Sequence, residues 1–324
     1  MRLTMMLILM LALAGTLLAQ GTKPPERLGV EAEAAGDELY NAGDRGGAAT
    51  KYEEALGNFN DAVANGVPMD EEIARVKGKL FKSYYFSEQF QKAVDVQRWI
   101  VEHEPGSTKP IRTLAMIYAK NLGDVNQAIA ELVAFDEKKP DFTVRKTIAG
   151  YYEDLGNAPK QIEWYQKAIE LKQDANVIKK IAALYREMGD DANAVKAYED
   201  YLATNPSESS KVKTYTNMGV LYEDMKNFPK AITAYENALK LKYDSKVAVK
   251  LMVLYYDQGN WDSSMAKVDL ILRNKPGDET AIYYRALIKI KLNDKQGAIE
   301  DFRKLENSSQ YGADAKNNIK ALQG

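Results

Sequence analysis

A turn signal returns along this chain at nearly constant spacing. It is a Gly-Asn or Gly-Asp pair at four places, and two related pairs complete the series: Gly123-Asp124, Gly156-Asn157, Gly189-Asp190, Lys226-Asn227, Gly259-Asn260 and Asn293-Asp294. The successive steps are 33, 33, 37, 33 and 34 residues. Glycine can end one helix in the left-handed conformation, and the following Asn or Asp can cap the next helix. The period predicts stacked helical hairpins, because one hairpin cannot bury its apolar face until a neighbour covers it.

Side-chain size follows the same period. A tyrosine precedes five of the turns: Tyr118, Tyr152, Tyr185, Tyr222 and Tyr255. After the turn comes a small residue and, one helical turn later, a bulky one, as in Ala194 and Tyr198. Helices approach closely only where side chains are small, so the rings fill the space between hairpins. Prolines that end the second helix of a hairpin stand at Pro105, Pro140, Pro206 and Pro276.

These residues together resemble the tetratricopeptide-repeat family. The best match is the run Met218-Gly219, Tyr222, Lys226-Asn227-Phe228, Ala231, Tyr235 and Ala238. Two departures, Gln161 and Ser264, stand where the family usually has alanine, so we expect slightly splayed hairpins there. The resemblance implies an all-α fold, a right-handed superhelical solenoid of about eight hairpins with a C-terminal capping helix. It is strongest over residues 109–276.

The first residues differ from everything that follows. Arg2 precedes an almost wholly apolar stretch from Leu3 to Leu18, after which the sequence becomes polar. This pattern predicts a signal peptide over residues 1–19, cleaved after Ala19 or after Ala14; the alternative is an inner-membrane anchor formed by uncleaved residues 3–19. The predicted domains are then a linker at 20–28, the repeats at 29–307 and the capping helix at 308–324.

Composition excludes several kinds of chemistry. The net charge of −2 and the pI of about 5.8 disfavour a nucleic-acid binder. Cysteine is absent and His103 is the only histidine, which removes thiol nucleophiles and Cys/His zinc sites. Acid pairs occur at Glu153-Asp154 and Glu223-Asp224, but at equivalent places in their repeats, which favours a surface feature over an active site. We predict no catalytic residue, cofactor or metal; a carboxylate-dependent hydrolase is the distant alternative.

The resemblance implies that the first helices of the hairpins line a concave groove that binds partners. The residues expected to face it are Lys120, Lys146, Glu153, Asp154, Lys179, Arg186, Glu187, Glu223, Asp224, Tyr256, Asp257 and Tyr283. Lysines lie early in these helices and acids late, which opposes the helix macrodipole. We therefore expect a groove with a basic and an acidic edge for a peptide or helix of mixed charge; an ordinary solvated face is the alternative.

The expected function is an exported adaptor, in the bacterial periplasm, that binds a protein or peptide in a cell-envelope complex. A self-assembling scaffold that stacks through its terminal repeats is the alternative. Nucleic acid and small-molecule substrates are not expected as partners. Membrane association is expected only through partners or an uncleaved signal segment.

Overall fold

A computed structural model describes residues 23–323 of the chain. Within these residues it contains 17 α-helices and one short π-helix, and no strand. The predicted all-α fold class is therefore confirmed. The predicted signal peptide, residues 1–19, lies outside the described residues. The first helix begins at Pro25, so residues 25–28 of the expected linker are helical.

Successive helices pair as eight hairpins, followed by one further helix. The chain divides into two compact units, one ending at Trp164 and the other beginning at Tyr165. The helices that begin in the first unit are α1 (Pro25–Ala42), α2 (Arg45–Ala64), α3 (Asp70–Phe86), α4 (Phe90–His103), α5 (Lys109–Met116), α6 (Val125–Lys138), α7 (Phe142–Asp154) and α8 (Ala158–Leu171). Those of the second unit are α9 (Ala175–Glu187), α10 (Asp191–Ala203), α11 (Glu208–Asp224), α12 (Phe228–Leu241), α13 (Ser245–Asp257), α14 (Trp261–Asn274), α15 (Glu279–Lys291), α16 (Lys295–Arg303) and α17 (Gly312–Gln323). We call the odd-numbered helices α1 to α15 first helices and their even-numbered partners second helices.

The turns within the hairpins form as the sequence predicts. At the turn after α7 the backbone N–H of Asn157 donates to the carbonyl of Tyr152 at 2.9 Å. The side chain of Asp190 caps α10 by accepting from the N–H of Asn193 at 3.2 Å. Two non-glycine residues of the series adopt the left-handed conformation, Lys226 with φ 56° and Asn293 with φ 63°. Helix termination therefore needs the left-handed backbone but does not always need glycine.

Small and large side chains meet inside each hairpin, as predicted. Ala194 is fully buried and the Tyr198 ring nearly so. In the next hairpin a Cβ added to Gly219 would lie 2.3 Å from Cε1 of the buried Tyr235 ring. The glycine is thus required by the close approach of α11 to that ring.

Two buried polar residues replace the usual alanine and are hydrogen bonded within their own hairpins. The Ser264 hydroxyl donates to the carbonyl oxygen of Met252 at 2.8 Å. The Gln161 amide donates to the Glu153 carboxylate at 3.1 Å. Each substitution is therefore accommodated without an unsatisfied polar group.

A row of tyrosine hydroxyls joins consecutive hairpins, and we call it the tyrosine ladder. In each case the tyrosine near the end of a first helix bonds to one side chain on the second helix of the preceding hairpin. In the second unit Tyr255 donates to Glu236 at 3.1 Å and Tyr222 to Glu199 at 3.4 Å. The other members are the pairs Gln166 with Tyr185, Arg98 with Tyr118, and Glu53 with Tyr84. The rings of Tyr84, Tyr118 and Tyr222 are buried and those of Tyr185 and Tyr255 half-buried, and all five hydroxyls bond the neighbouring hairpin.

A second polar contact accompanies the buried tyrosines of the second helices. Three such rings contact a polar side chain from the first helix of the next hairpin. Lys180 donates to the Tyr165 hydroxyl at 3.3 Å, and Asn217 to the Tyr198 hydroxyl at 3.3 Å. The Lys250 ammonium lies 5.7 Å from the centre of the Tyr235 ring. Ring and polar side chain therefore belong to one interface between hairpins.

The third hairpin contains a π-helix, Ile117–Asn121, at the end of α5. Tyr118 stands six residues before the capping Asp124, whereas Tyr152 stands five residues before Asn157. The extra residue is absorbed by the wider turn, in which the N–H of Leu122 donates to the carbonyl of Ile117 at 3.0 Å. Tyr118 and the turn consequently hold the same positions in this hairpin as their equivalents do in the others.

The last hairpin is held by a buried carboxylate and covered by α17. Asp301 is 1% exposed, and Arg285 bonds both its oxygens at 2.6 and 2.8 Å. Burial opposes ionisation, but bonds from Arg285 and two lysines hold the pKa of Asp301 at about 2. Helix α17 buries Ala315 against Phe302 and the rest of this hairpin's core, as expected of a capping helix.

Candidate functional site

The predicted site residues all lie on first helices or at their ends. Nine are exposed: Lys120, Lys146, Glu153, Asp154, Lys179, Arg186, Glu187, Asp224 and Asp257. The other three, Glu223, Tyr256 and Tyr283, are half-buried. We call the solvent-facing side of the first helices within each unit the first-helix face.

Two of the predicted acids have structural partners. Glu223 accepts from the Lys250 ammonium at 2.9 and 3.2 Å, which joins α11 to α13. Glu153 accepts from Gln161 within its own hairpin. Their roles in the fold make them less suitable than other acids as probes of partner binding.

Four other acids occur one per hairpin and form no ion pair among the described residues. They are Asp154 on α7 and, in the second unit, Glu187, Asp224 and Asp257 on α9, α11 and α13. Each lies at the C-terminal end of its first helix. A negative charge there is unfavourable by about 0.3–1 kcal/mol. Helix stability therefore does not account for this recurring position.

Basic residues lie at the opposite end of two first helices, as predicted. Lys179 and Glu187 are eight residues apart on α9, which corresponds to roughly 12 Å along the axis. Lys146 and Asp154 have the same separation on α7. The Lys146 ammonium lies 4.9 Å from the centre of the Phe142 ring. Helix α7 thus has a basic and an acidic end, whereas the C-terminal end of α9 carries Arg186 beside Glu187.

The two tyrosines of the predicted site belong to an aromatic cluster in the second unit. Tyr256 contacts the rings of Trp261 and Tyr284 edge-on, at 5.1 and 5.2 Å between centres. Tyr283 stacks on Tyr311 at 4.5 Å. Burial raises the pKa of both Tyr256 and Tyr283 above the ordinary tyrosine value of 10.0. These rings stabilise the fold and offer only part of their surface to a partner.

Sequence reasoning missed the apolar residues of the face. Val220 on α11 is 37% exposed, and Val253 and Leu287 hold equivalent places on α13 and α15, half-buried. A second group of exposed apolar residues directly precedes the turns: Leu122, Leu155, Met188, Met225 and Leu292. The sequence did contain a signal for them. Val220 stands four residues before Asp224, and Val253 four residues before Asp257, so each pair lies on one side of its helix.

Other sequence features have ordinary structural roles. His103 is exposed and stacks on Trp99 at 3.8 Å between ring centres. Trp164 is buried, and Trp261 packs in the aromatic cluster. Across residues 23–323 no group of three acidic or histidine side chains is arranged to hold a metal ion. None of the helices in that range is long and apolar enough to cross a bilayer.

Comparison with known proteins agrees with the repeat geometry. Three models of the tetratricopeptide repeat match residues 147–174, 180–207 and 212–242. A search of curated protein sequences gives no significant match. Among solved structures, a chain of Naa15/Naa10 bound to HypK-THB is 16% identical with a TM-score of 0.55, and the match covers 76% of this chain and 39% of that one.

Two smaller solved structures match over shorter parts of the chain. MamA is 18% identical with a TM-score of 0.41, over 53% of this chain and 94% of its own. YrrB, described as a TPR protein with an unusual peptide-binding site, is 15% identical with a TM-score of 0.43, over 57% of this chain and 97% of its own.

Hairpin geometry and the matched repeats agree over the middle of the chain. Three consecutive hairpins, formed by α7 to α12, match models of the tetratricopeptide repeat, which supports a relation to that family. Such repeats suggest a protein-interaction scaffold.

Proposed function

We propose that this protein is an exported scaffold that binds a protein or peptide partner through its first-helix face. The observation that carries the proposal is the recurrence of Asp154, Glu187, Asp224 and Asp257 as exposed acids without ion pairs at one position of four consecutive hairpins. They oppose the helix macrodipole, so a role outside the fold explains them better than a role in it. Basic residues at the other ends of α7 and α9 suit a partner of mixed charge.

Capture of the native partner tests this proposal. Reversal of these four charges to lysine should abolish capture from an extract of the source organism. A matched control reverses four exposed acids on second helices, Glu137, Asp200, Asp269 and Glu300. Capture by the control variant should equal that of the wild type. Equal capture by both variants would contradict the proposal.

Export rests on the sequence of the first residues alone. Arg2 and the apolar stretch from Leu3 to Leu18 support a signal peptide and, with it, a place in a bacterial envelope complex. Mass spectrometry of the protein purified from its own cells should show a chain that begins at Gln20 or Gly15. An intact chain beginning at Met1 would instead indicate the anchored form.

Self-assembly is the competing function for a repeat protein. Helix α17 covers the apolar core of the last hairpin, where an end-to-end contact would need an open surface. We therefore favour an adaptor. Sedimentation velocity across a concentration series should give a constant sedimentation coefficient; growth with concentration would favour the stacking scaffold.

A further inference from the structure

The first-helix face of the second unit combines apolar and acidic residues in register. Four residues before each of its acids stands a small or apolar residue: Ala183 before Glu187, Val220 before Asp224 and Val253 before Asp257. Residues four apart share one side of a helix, so the pairs repeat on α9, α11 and α13. Val220 is exposed, and Ala183 and Val253 are half-buried.

The row of acids ends at the last hairpin. In α15 the equivalent residues are Leu287 and Lys291, so the apolar residue remains while the charge changes sign. Lys291 is followed by the exposed Leu292 at the turn. The acidic edge thus extends over three consecutive hairpins of this unit.

Charge and spacing select the occupant of this face. Three exposed carboxylates without ion pairs favour a partner that carries cations, and the adjacent apolar residues favour an apolar side on the same partner. Neighbouring packed helices lie roughly 10 Å apart, which corresponds to about seven residues of α-helix. An extended strand does not match this repeat, because its residues three apart point to opposite sides.

We infer that the face formed by α9, α11 and α13 binds a basic amphipathic helix. That helix crosses the three first helices with Lys or Arg at seven-residue intervals against Glu187, Asp224 and Asp257. Its apolar stripe covers Val220 and Val253. This inference rests on the proposed function, since it names the partner chemistry of the same face.

A designed peptide provides the probe. It is a 21-residue helix with lysine at every seventh position and a leucine stripe beside the lysines. Two relatives serve as controls: one carries glutamate in place of each lysine, and the other has a central proline that breaks the helix. Fluorescence anisotropy with the full-length protein measures binding at two salt concentrations.

Matched variants of the protein locate the site. The variant E187Q/D224N/D257N should bind the cationic helix about tenfold more weakly than the wild type, with a reduced dependence on salt. The variant D200N/D269N/E300Q changes the net charge by the same amount on exposed parts of second helices and should bind as the wild type does. Val220→Ser should weaken binding about threefold or more. Circular dichroism and the unfolding midpoint of each variant establish that it is folded.

The outcomes separate this inference from the proposal beneath it. The inference is supported if the wild type prefers the cationic helix and only the first-helix variants lose this preference. Four results would overturn it. In three of them the wild type does not bind the cationic helix, or binds the acidic peptide or the proline peptide as tightly as the cationic helix. In the fourth, the second-helix variant loses as much affinity for the cationic helix as the first-helix variant does. If native capture still depends on the four acids while the peptide fails, only the partner chemistry is wrong. If native capture does not depend on them, the proposed function itself fails.

Discussion

At the scale of single residues, size and polarity are matched across each contact. Gly219 makes room for the Tyr235 ring, and Lys250 lies over that ring from the next hairpin. Tyr255 continues the same interface by bonding Glu236.

The predicted core role is confirmed for Tyr165, Tyr198, Tyr222 and Tyr235, whereas Tyr152 and Tyr185 are half-buried. The hydroxyl partners of the ladder tyrosines were not predicted. Four of the five partners lie five residues after an alanine, as Glu236 follows Ala231, and Gln166 follows Gln161 at the same spacing. A repeat-by-repeat alignment could therefore have shown the ladder.

Gly219→Ala tests the close approach of α11 to the Tyr235 ring. The added methyl group would collide with a buried ring, so the free energy of unfolding should fall by about 1–3 kcal/mol. Gly150→Ala is the control, because a Cβ there meets no heavy atom within 4 Å. It should be neutral or raise the free energy of unfolding by about 0.5–1 kcal/mol. Urea unfolding measures both, and equal effects would contradict the packing described.

Tyr255→Phe tests the tyrosine ladder. Loss of the hydroxyl should lower the free energy of unfolding by about 1 kcal/mol at neutral pH. Tyr215→Phe is the control, since the Tyr215 hydroxyl forms no hydrogen bond within the described part of the chain, and it should change little. If both variants lose the same free energy of unfolding, the hydroxyl bonds of the ladder do not stabilise the protein.

The pH dependence of the same variant gives a second prediction. Burial, and then the Glu236 carboxylate, raise the pKa of Tyr255 to about 12 from an ordinary value of 10.0. A raised folded-state pKa favours the protonated native state, so its contribution is complete below pH 10 and is lost as the pH rises toward about 12. Tyr255→Phe should therefore lose less stability than the wild type over that interval in pH-dependent urea unfolding. Identical pH profiles would show that Tyr255 does not titrate in this way.

At the scale of helices, the turns encode the hairpins. Asn and Asp caps, left-handed residues and prolines predicted the order of helices, and α4, α6 and α14 each end two residues before a proline. The π-helix at Ile117–Asn121 was not predicted, because the glycine spacing hides it. Counting from Tyr118 to Asp124 shows the extra residue.

Deletion of Asn121 tests the origin of the π-helix. The deletion restores the five-residue spacing of the other hairpins, and it removes a buried side-chain oxygen that has no hydrogen-bond partner. We expect the free energy of unfolding to stay within about 0.5 kcal/mol of the wild type or to rise. Deletion of Asp154 from α7 shortens a regular turn instead and should destabilise the protein by several times as much. Equal destabilisation by both deletions would mean that the extra residue is required by the fold.

Removal of α17, residues 312–324, tests its role as a cap. Ala315, Ile319 and Leu322 would no longer cover the last hairpin, at a cost of about 3 kcal/mol or more. Binding of a dye specific for exposed apolar surface should rise with the loss. Serine at Lys316 and Lys320, both exposed, is the control and should change the stability by less than about 0.5 kcal/mol. An unchanged unfolding midpoint after truncation would contradict the capping role.

At the scale of the whole molecule, the fold follows from repetition, whereas the partner depends on differences between repeats. The family resemblance holds for the matched hairpins, and the predicted site residues lie on first helices. The face also contains Val220 and its equivalents, which charge-based reasoning passed over because exposed valine resembles core valine in a sequence. Glu223 shows the converse, since its partner Lys250 comes from another hairpin and only the folded structure brings them together.

Site-specific photocrosslinking in the native cells shows which face of the protein contacts the partner. A photoreactive amino acid is placed in turn at Lys179 and Val220 on first helices and at Asp200 and Asp269 on second helices, and adducts are identified by mass spectrometry. A common partner should crosslink from the first-helix positions and not from the second-helix positions. Adducts formed mainly from Asp200 and Asp269 would contradict this prediction.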